Sequence, residues 1–512
     1  MTLNSVLEIA AYGAWHGGTL VDNSIYEQKG MTFKGGIPVN NKTIEDRIGV
    51  RTRMAAPLGE RIGVTALQDL LNSSEIELSR IKLVIGATNV GEDKHDPGPL
   101  IRRPFEIIRN SCPNALVFDL YAGCPGFNAA VELIFTLSLA GMLKPGDLTL
   151  IVGAENVHRA SVFEPGDTSD IIFGDDALVT VLETHGTTAT LGKSDHLSGR
   201  IPFPPDADFI GHIAAMVLKL NGDHRIDGII IDNQLGKFEY RIPATAARVQ
   251  HKLVELMFPA AAEKGTFKRF KEALDFYDRH VQSFAFDIMT LDRDPNPVQH
   301  VARAYVESGK CKRVATVYLA PDQDIEIAIV HASGGSFQRP QYGIIDANTR
   351  THGCFAGYIE GVSQNNDVFG KLNGKGIFLH ATRGAHAHLT ELLSRNKLDI
   401  NDIEMLIEHQ ANFAMIPLTL EQVLGTGLPD IKESVASFIA NKMVTNIHDR
   451  GNCSVVCMQR LPYDLHRGAL KPDKIQGFAI NRNLDVLKQA KLILNDSVGA
   501  GMTRSSFLQR KR

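Results

Sequence analysis

Three residues that are far apart in the sequence could together form a site for nucleophilic catalysis: Cys124, His409 and Asn452. A cysteine thiolate is a strong nucleophile, and imidazole and amide groups can stabilise the negative charge that develops on a carbonyl oxygen. Taken singly, each is an ordinary structural residue: a small buried cysteine, a core histidine or a helix-capping asparagine. The hypothesis that they act together therefore depends on the elements that position them.

The pattern around Cys124 predicts a turn from a strand into a helix. Residues 116–120 form an apolar run that is typical of a buried strand, and residues 125–143 predict a long helix with Pro125 as its first residue. A thiol at this turn faces the helix N-terminus, where a negative charge is favoured. We therefore expect Cys124 to have a lowered pKa and to be accessible as a nucleophile.

His409 directly follows residues 405–408, which read as a short buried strand, and Gln410 and Asn412 open the loop that comes next. Asn452 lies between a charged turn and an apolar segment. The carboxyl ends of parallel strands are where α/β proteins build their sites. Gln410 and Asn412 are therefore candidate substrate-binding residues beside His409.

From residue 62 onward, helical periods alternate with short β-branched runs, which predicts an α/β fold of parallel units. A proline-rich segment at 200–208 and a glycine-bearing region at 334–376 indicate boundaries between units. The predicted units are residues 1–190, 191–340 and 341–512. Further predicted strands are residues 81–87, 148–153, 173–182 and 478–480, and further predicted helices are residues 66–71 and 377–393.

The composition is that of a globular protein, with 44% hydrophobic and 22% charged residues among 512. A formal net charge of -4 argues against nucleic acid and anionic membranes as partners. The first residues lack the basic region of a signal peptide, and the most apolar stretch, residues 129–143, contains Glu132 and is too short to span a membrane. We therefore expect a cytoplasmic protein.

The six cysteines are dispersed along the chain, which favours reduced thiols over a disulfide framework. Cys453 and Cys457 form a CxxxC pair, but no second pair of cysteine or histidine residues stands near them at the spacing of a zinc site. We expect neither a metal nor a cofactor.

The cysteine-bearing unit resembles a later part of the same chain. The segment FDLYAGC (118–124) aligns with FDIMTLD (286–292), IKLVIGATN (81–89) with IDGIIIDNQ (226–234), and DLTLIVGA (147–154) with RVATVYLA (313–320). Asp292 then stands where the first unit has Cys124. We interpret residues 191–340 as a degenerate, structural copy, although chance similarity between two α/β units remains an alternative.

The sequence resembles the thiolase superfamily, and most closely its β-ketoacyl-acyl carrier protein synthase III branch. The resemblance covers residues 1–185 and about 340–512 and leaves the middle third outside. Its ordered motifs are IEDRIGVRTRMAAP (44–57), FDLYAGCPGFNAAVELI (118–134), IVGAEN (151–156), IIFGDDALV (171–179), EHQANFAMI (408–416), HDRGNCSVV (448–456) and SVGAGMTRSSFL (497–508).

This resemblance implies a layered αβαβα fold of two related halves, with residues 191–340 inserted as a third unit. It also implies that Cys124 accepts an acyl group, and that His409 and Asn452 stabilise the enolate of a malonyl-type thioester as carbon dioxide leaves. The oxyanion of the condensation step would lie near the Cys124 N–H and the loop from Gly499 to Gly501. The expected partners are acyl carrier protein or acyl-coenzyme A thioesters, and the expected pathway is fatty acid or polyketide-like synthesis.

Two departures from the family pattern affect these expectations. Thr43 and Asp167 occupy the positions of a tryptophan and an arginine that contact adenine in coenzyme A-using relatives, which favours a carrier protein as donor. Asp176 replaces a glycine in the family's FGDGA turn. Non-decarboxylative condensation, ester-forming acyl transfer and a catalytically silent partner subunit stay open as alternatives, although the intact Cys-His-Asn set argues against the last.

The resemblance also predicts how the subunits pack together. In synthases of this family, the cysteine-bearing half packs against the same half of a second subunit across a two-fold axis. A related copy within one chain could occupy that surface and give a single-chain pseudo-dimer. The alternative is an ordinary homodimer in which the insert caps the substrate channel.

Overall fold

Two β-sheets form the framework of the protein. The computed structural model describes residues 5–96, 98–160, 162–203, 208–291, 296–321, 323–364, 367–425 and 429–512. Asp292, which aligns with Cys124 in the internal repeat, lies outside these residues, as do residues 204–207 of the expected linker.

Within the described residues, the larger sheet has ten strands in the order β1-β5-β4-β2-β3-β8-β7-β9-β10-β6. Short apolar runs with β-branched residues form most of these strands, as the sequence predicts. The strands are β1 (Leu7–Ala14), β2 (Ile81–Ala87), β3 (Leu116–Tyr121), β4 (Leu148–Glu155), β5 (Asp176–Thr184), β6 (Lys193–Ile201), β7 (Gly228–Asn233), β8 (Phe284–Thr290), β9 (Arg313–Leu319) and β10 (Ile325–Ser333).

The order of this sheet is symmetric about its central antiparallel pair, β3 and β8, in which Tyr121 lies opposite Asp287 and Phe118 opposite Thr290. Outward from β3, the sheet continues with parallel β2, parallel β4, antiparallel β5 and antiparallel β1. Outward from β8, it continues with parallel β7, parallel β9, antiparallel β10 and antiparallel β6. Residues 7–184 and 193–333 thus contribute five strands each in the same chain order.

The smaller sheet has four strands in the order β11-β14-β13-β12, namely β11 (Gly343–Thr351), β12 (Met405–Glu408), β13 (Leu492–Gly499) and β14 (Thr503–Arg510). The longer helices are α1 (Asn41–Ile48), α2 (Ile62–Ser73), α3 (Gly126–Leu139), α4 (Phe209–Asn221), α5 (Thr245–Met257), α6 (Asn296–Glu307), α7 (Gly374–Arg383), α8 (Ala385–Ser394), α9 (Met415–Leu424), α10 (Ile431–Lys442) and α11 (Cys457–His466).

Helices and sheets alternate in five layers. All residues of α3 are buried, because α3 lies with α11 between the two sheets in the main hydrophobic core. The outer face of the large sheet packs against α2. The outer face of the small sheet packs against α8, α9 and α10. This arrangement is the layered αβαβα fold that the sequence motifs imply.

Two predicted helices differ from the structure at glycine residues. The helix predicted for residues 125–143 ends at Leu139, and Gly141 follows with a left-handed φ of 67°. The helix predicted for residues 377–393 is two helices, α7 and α8, on either side of Gly384. The helix prediction used only the continuous apolar period. It did not take into account that glycine is the weakest helix former apart from proline.

Within the described residues, the helices are too short or too polar to cross a bilayer.

Candidate active site

Cys124, His409 and Asn452 line one cavity, although 285 residues separate the first two in the sequence. The cavity has a volume of about 180 Å³, and apolar side chains form most of its wall. The apolar residues of the wall include Val90, Val157, Val162, Phe163, Phe173, Ile242, Ile359, Leu372, Ile377, Phe378, Met415 and Met502.

Cys124 lies between the end of β3 and the start of α3, as predicted, and Pro125 is the N-cap residue rather than the first helical residue. Gly123 has a φ of 74°, which a residue with a side chain adopts only with strain. A Cβ on Gly499 would lie 2.5 Å from the Cys124 nitrogen. The nucleophile turn therefore packs directly against the glycine loop that follows β13.

The expectation of a lowered thiol pKa is wrong for Cys124. Burial raises the pKa of this thiol to about 12, and the hydrogen bond from Ser454 opposes that shift while the charge of Glu155 adds to it. Loss of hydration outweighs the favourable position at the helix N-terminus. At neutral pH Cys124 is therefore a thiol, which would have to lose its proton in order to act as a nucleophile.

A buried polar chain leads away from this thiol. The Ser454 hydroxyl lies 3.6 Å from Cys124 Sγ and 3.1 Å from Glu155 Oε1. Asn89 Nδ2 donates to the same hydroxyl over 2.8 Å. Glu155 also accepts hydrogen bonds from the backbone N–H groups of Asn89 and Val90. Even so, burial raises the pKa of Glu155 to about 7.

His409 is a neutral hydrogen-bonding group in this site. Burial, with the nearby Arg504 charge, lowers its pKa to about 3. Its Nδ1 lies 2.8 Å from the Cys457 sulfur. Burial raises the pKa of Cys457 far above neutral, so this sulfur carries a proton that it can donate to Nδ1. The ring proton of His409 then lies on Nε2, which becomes a hydrogen-bond donor.

Asn452 is held by both its backbone and its side chain. Its N–H donates to the Ile172 carbonyl over 2.8 Å, and its own carbonyl accepts from Gly174 N–H over 3.2 Å. The side-chain oxygen accepts from the Ser454 N–H over 2.8 Å. Since that oxygen is engaged, the amide NH₂ is the group that Asn452 can offer to a carbonyl in the cavity.

The other predicted site residues divide into two groups. Gly499 and Asn412 line the cavity. Gln410 does not: its Oε1 accepts from the N–H groups of Asn446 and Ile447 at 3.0 and 2.9 Å, so its side chain holds the neighbouring backbone. Gly501, with a φ of 77°, shapes the loop without lining the cavity.

Asp176, which departs from the glycine of the family turn, has a buried partner. Arg460 Nε donates to Asp176 Oδ2 over 2.8 Å, and a second guanidinium nitrogen contacts Oδ1. The same guanidinium donates to the Trp15 carbonyl over 3.1 Å. The aspartate is thus one half of a buried ion pair that ties α11 to β5.

The middle unit reaches the cavity through Ile242, which follows β7 and packs in one apolar cluster with Val157 and Phe163. Arg241 next to it donates to the Asp96 carbonyl over 2.8 Å and lies over the Tyr121 ring at 5.6 Å. Sequence reasoning missed this contribution because residues 191–340 lie outside the family motifs.

The site can form and stabilise a thioester, because it combines a nucleophilic sulfur, two neutral hydrogen-bond donors and an apolar wall. All six cysteines are free thiols. Over the part of the chain that the structure describes, no cluster of three or more potential metal ligands occurs.

Comparison with solved structures identifies the class of fold. The 3-oxoacyl-(acyl carrier protein) synthase III of Pseudomonas aeruginosa superimposes with a TM-score of 0.52 over 99% of this chain and 98% of that chain, at 16% sequence identity. The fold is therefore that of the thiolase-like condensing enzymes.

Comparison of sequences gives the same relationship. The chain is similar to β-ketoacyl-[acyl-carrier-protein] synthase III of Nitratidesulfovibrio vulgaris, with 30% identity over 23% of this chain and 33% of that protein. It is also similar to the synthase III of Helicobacter pylori, with 23% identity over 44% of this chain and 66% of that protein. No protein-family model matches the chain. The resemblance that the motifs indicate is confirmed, although the chain spans only about a third to two thirds of the curated relatives it matches.

Proposed function

We propose that the protein is an acyltransferase that forms a carbon–carbon bond by decarboxylative condensation of a Cys124-bound acyl group with a malonyl-type thioester. The observation that carries this proposal is the convergence of Cys124, His409 and Asn452 on one apolar cavity. The proteins with similar sequences are named β-ketoacyl-[acyl-carrier-protein] synthase III, which supports the proposal. An acyl carrier protein thioester is the proposed donor, in fatty acid or polyketide-like synthesis.

Each side chain has a role that its surroundings support. Cys124 attacks the donor thioester and keeps the acyl group. The Nε2–H of His409 and the NH₂ group of Asn452 then donate to the thioester carbonyl of the second substrate, which becomes an enolate as carbon dioxide leaves. Neutral donors in a dry cavity stabilise such charge strongly, and one lost donor typically costs on the order of a hundredfold in rate.

The cavity favours a short acyl group. An apolar cavity of roughly 150 Å³ holds a benzene molecule, and the cavity beside Cys124 measures about 180 Å³. Because the second substrate enters the same cavity, about six carbons is the upper limit for an acyl chain that fits with no movement of the wall.

The test is intact-protein mass spectrometry after incubation with acyl-carrier and acyl-coenzyme A donors of increasing length, followed by peptide mapping. We expect the acyl mass on Cys124. His409→Ala and Asn452→Ala should still accept the acyl group but lose decarboxylation of a malonyl thioester. A label on Cys453 or Cys457, or loss of acylation with decarboxylation retained, would contradict the proposed roles.

We also propose that residues 191–340 are a degenerate copy of residues 1–190 and make a pseudo-dimer within one chain. The mirrored strand order about β3 and β8 supports this. A side-chain detail supports it independently. Asp119 on β3 accepts from two consecutive backbone N–H groups, those of Leu100 and Ile101, at 2.6 and 3.0 Å.

Asp287 on β8 likewise accepts hydrogen bonds from two consecutive backbone N–H groups, those of Thr245 and Ala246 at the start of α5, both at 2.8 Å. Because β8 already occupies the edge of β3, no strand edge is left there for a second subunit. Light scattering should therefore give the mass of a single 56.1 kDa chain. A mass of two chains would favour the ordinary homodimer instead.

A further inference from the structure

We propose that Ser454 and Glu155 form a proton relay that deprotonates Cys124 during acyl transfer. This inference rests on the proposed function in one respect only: the electrophile that Cys124 attacks is taken to be a thioester. The relay itself consists of three groups in contact, Cys124 Sγ, Ser454 Oγ and Glu155 Oε1, at 3.6 and 3.1 Å.

The hydrogen bonds around Ser454 fit both protonation states. Ser454 has one proton and two acceptors within reach, Cys124 Sγ and Glu155 Oε1. In the resting state we assign that proton to Glu155, so that the Ser454 oxygen accepts from Asn89 Nδ2 and from the Cys124 S–H. After transfer, the oxygen accepts from Asn89 and from the protonated Glu155, and its proton goes to the sulfur anion. A hydroxyl has one donor and two acceptor sites, so all of them are used in each state.

The groups around the thiol leave Glu155 as its base. The Nδ1 of His409 is engaged by Cys457 and its Nε2 carries the ring proton, so neither nitrogen is free to accept the thiol proton, and a pKa of about 3 makes this imidazole a weak base. Glu155 is the negative charge that interacts with Cys124.

Asp176, which lies opposite Glu155 in the β4–β5 register, is already paired with Arg460 and Arg450. The other partners of Glu155 are the Asn89 amide and backbone N–H groups.

The step balances without another reactant. As Cys124 Sγ forms a bond to the donor carbonyl carbon, its proton moves to Ser454 Oγ, and the Ser454 proton moves to Glu155. When the carbon–sulfur bond to the donor breaks, Glu155 returns its proton to Ser454, and Ser454 gives its own proton to the departing thiolate, which leaves as a thiol. Glu155 is again a carboxylate when Cys124 is acylated. Since Ser454 touches the reacting sulfur, it is a catalytic residue, whereas Glu155 acts through it.

The relay predicts a pH profile that a structural role does not. Only the carboxylate form of Glu155 accepts a proton, and its pKa is about 7. The rate at which Cys124 reacts should therefore rise as the pH passes through neutrality. This is well below the pH range in which a free cysteine thiol loses its proton. The test is alkylation by iodoacetamide, with the Cys124 peptide quantified by mass spectrometry between about pH 5 and pH 9.

In Glu155→Gln, the rise near neutrality should disappear, and alkylation at about pH 8 should be at least roughly tenfold slower. Ser454→Ala should behave likewise, while Ser454→Thr, which keeps the hydroxyl, should retain the rise. Glu132→Gln is the matched control, because Glu132 is a buried carboxylate of α3 that pairs with Lys310 instead. Its profile should match the unmodified protein.

A rise near pH 7 that persists in Glu155→Gln overturns the relay, whatever the acyl chemistry. Acylation by thioester donors is measured on the same variants and separates the two proposals. If no donor acylates Cys124 but the rise depends on Glu155 and Ser454, the relay stands and the proposed function fails. If donors acylate Cys124 equally fast in Glu155→Gln and the unmodified protein, the function stands and the relay fails.

Discussion

Replacement of Cys457 tests whether this thiol fixes the ring proton of His409. The Cys457 sulfur lies 2.8 Å from His409 Nδ1, and both groups are buried. In Cys457→Ala, Nδ1 loses its donor, so the ring no longer favours the form with the proton on Nε2. We expect decarboxylation of a malonyl thioester to slow, because that step needs Nε2 as a donor.

The expected loss is moderate. A buried hydrogen-bonding atom that loses its partner costs about 1 to 3 kcal/mol. If about 1.4 kcal/mol of this cost appears in the barrier, decarboxylation falls roughly tenfold. The loss should be smaller than in His409→Ala, which removes the donor altogether. Acylation of Cys124 should change little, because His409 acts on the second substrate.

The assay measures carbon dioxide release from the malonyl thioester and, separately, the acylated fraction of Cys124 by mass spectrometry. Cys457→Ser is the matched control, since its hydroxyl can donate to Nδ1 in the same place and should restore most of the rate. Equal decarboxylation rates in Cys457→Ala, Cys457→Ser and the unmodified protein would refute the reasoning.

Three other substitutions have expected outcomes. Asp176→Gly restores the family residue but removes the nearer carboxylate partner of buried Arg460, which keeps only Asp464 at 3.8 Å, so the free energy of unfolding should fall by about 3 kcal/mol in urea titrations. Gly499→Ala places a Cβ 2.8 Å from Cys124 Cβ and should slow acylation by roughly a hundredfold or more in rapid-quench assays. Ile242→Trp should fill the cavity, so that acylation by a six-carbon donor falls while iodoacetamide still alkylates Cys124. Unchanged stability of Asp176→Gly would contradict the first expectation, and unchanged acylation of Gly499→Ala would contradict the second. Equal loss of acylation and alkylation in Ile242→Trp would contradict the third.

Local sequence patterns were enough to predict the elements next to the nucleophile. An apolar strand and a proline at the start of a helix are short-range features, and they place Cys124 at the turn between the two elements. The bounds of β2, predicted as residues 81–87, are those in the structure. The convergence of Cys124 with His409 and Asn452 followed from family motifs, because no local pattern specifies contacts between residues so distant in sequence.

The electrostatics of the site could not be predicted from the sequence. The pKa of Cys124 depends on how completely the protein removes water from the sulfur, and this is a property of packing. Glu155 and Ser454 lie 299 residues apart, and each stands in a segment whose pattern indicates only a strand end or a turn. From the sequence alone, which does not show the contact between them, neither residue indicates that it could accept a proton from Cys124.

The proposed internal repeat and the cavity are connected through β3. This strand pairs with β8 along one edge, with Tyr121 opposite Asp287, and it ends three residues before Cys124. Ile242, from the same unit as β8, forms part of the cavity wall. The middle unit therefore covers one edge of β3 and completes the cavity that Cys124 lines. Under the proposed function, a copy that lacks the cysteine is thus still necessary for the activity of the other half.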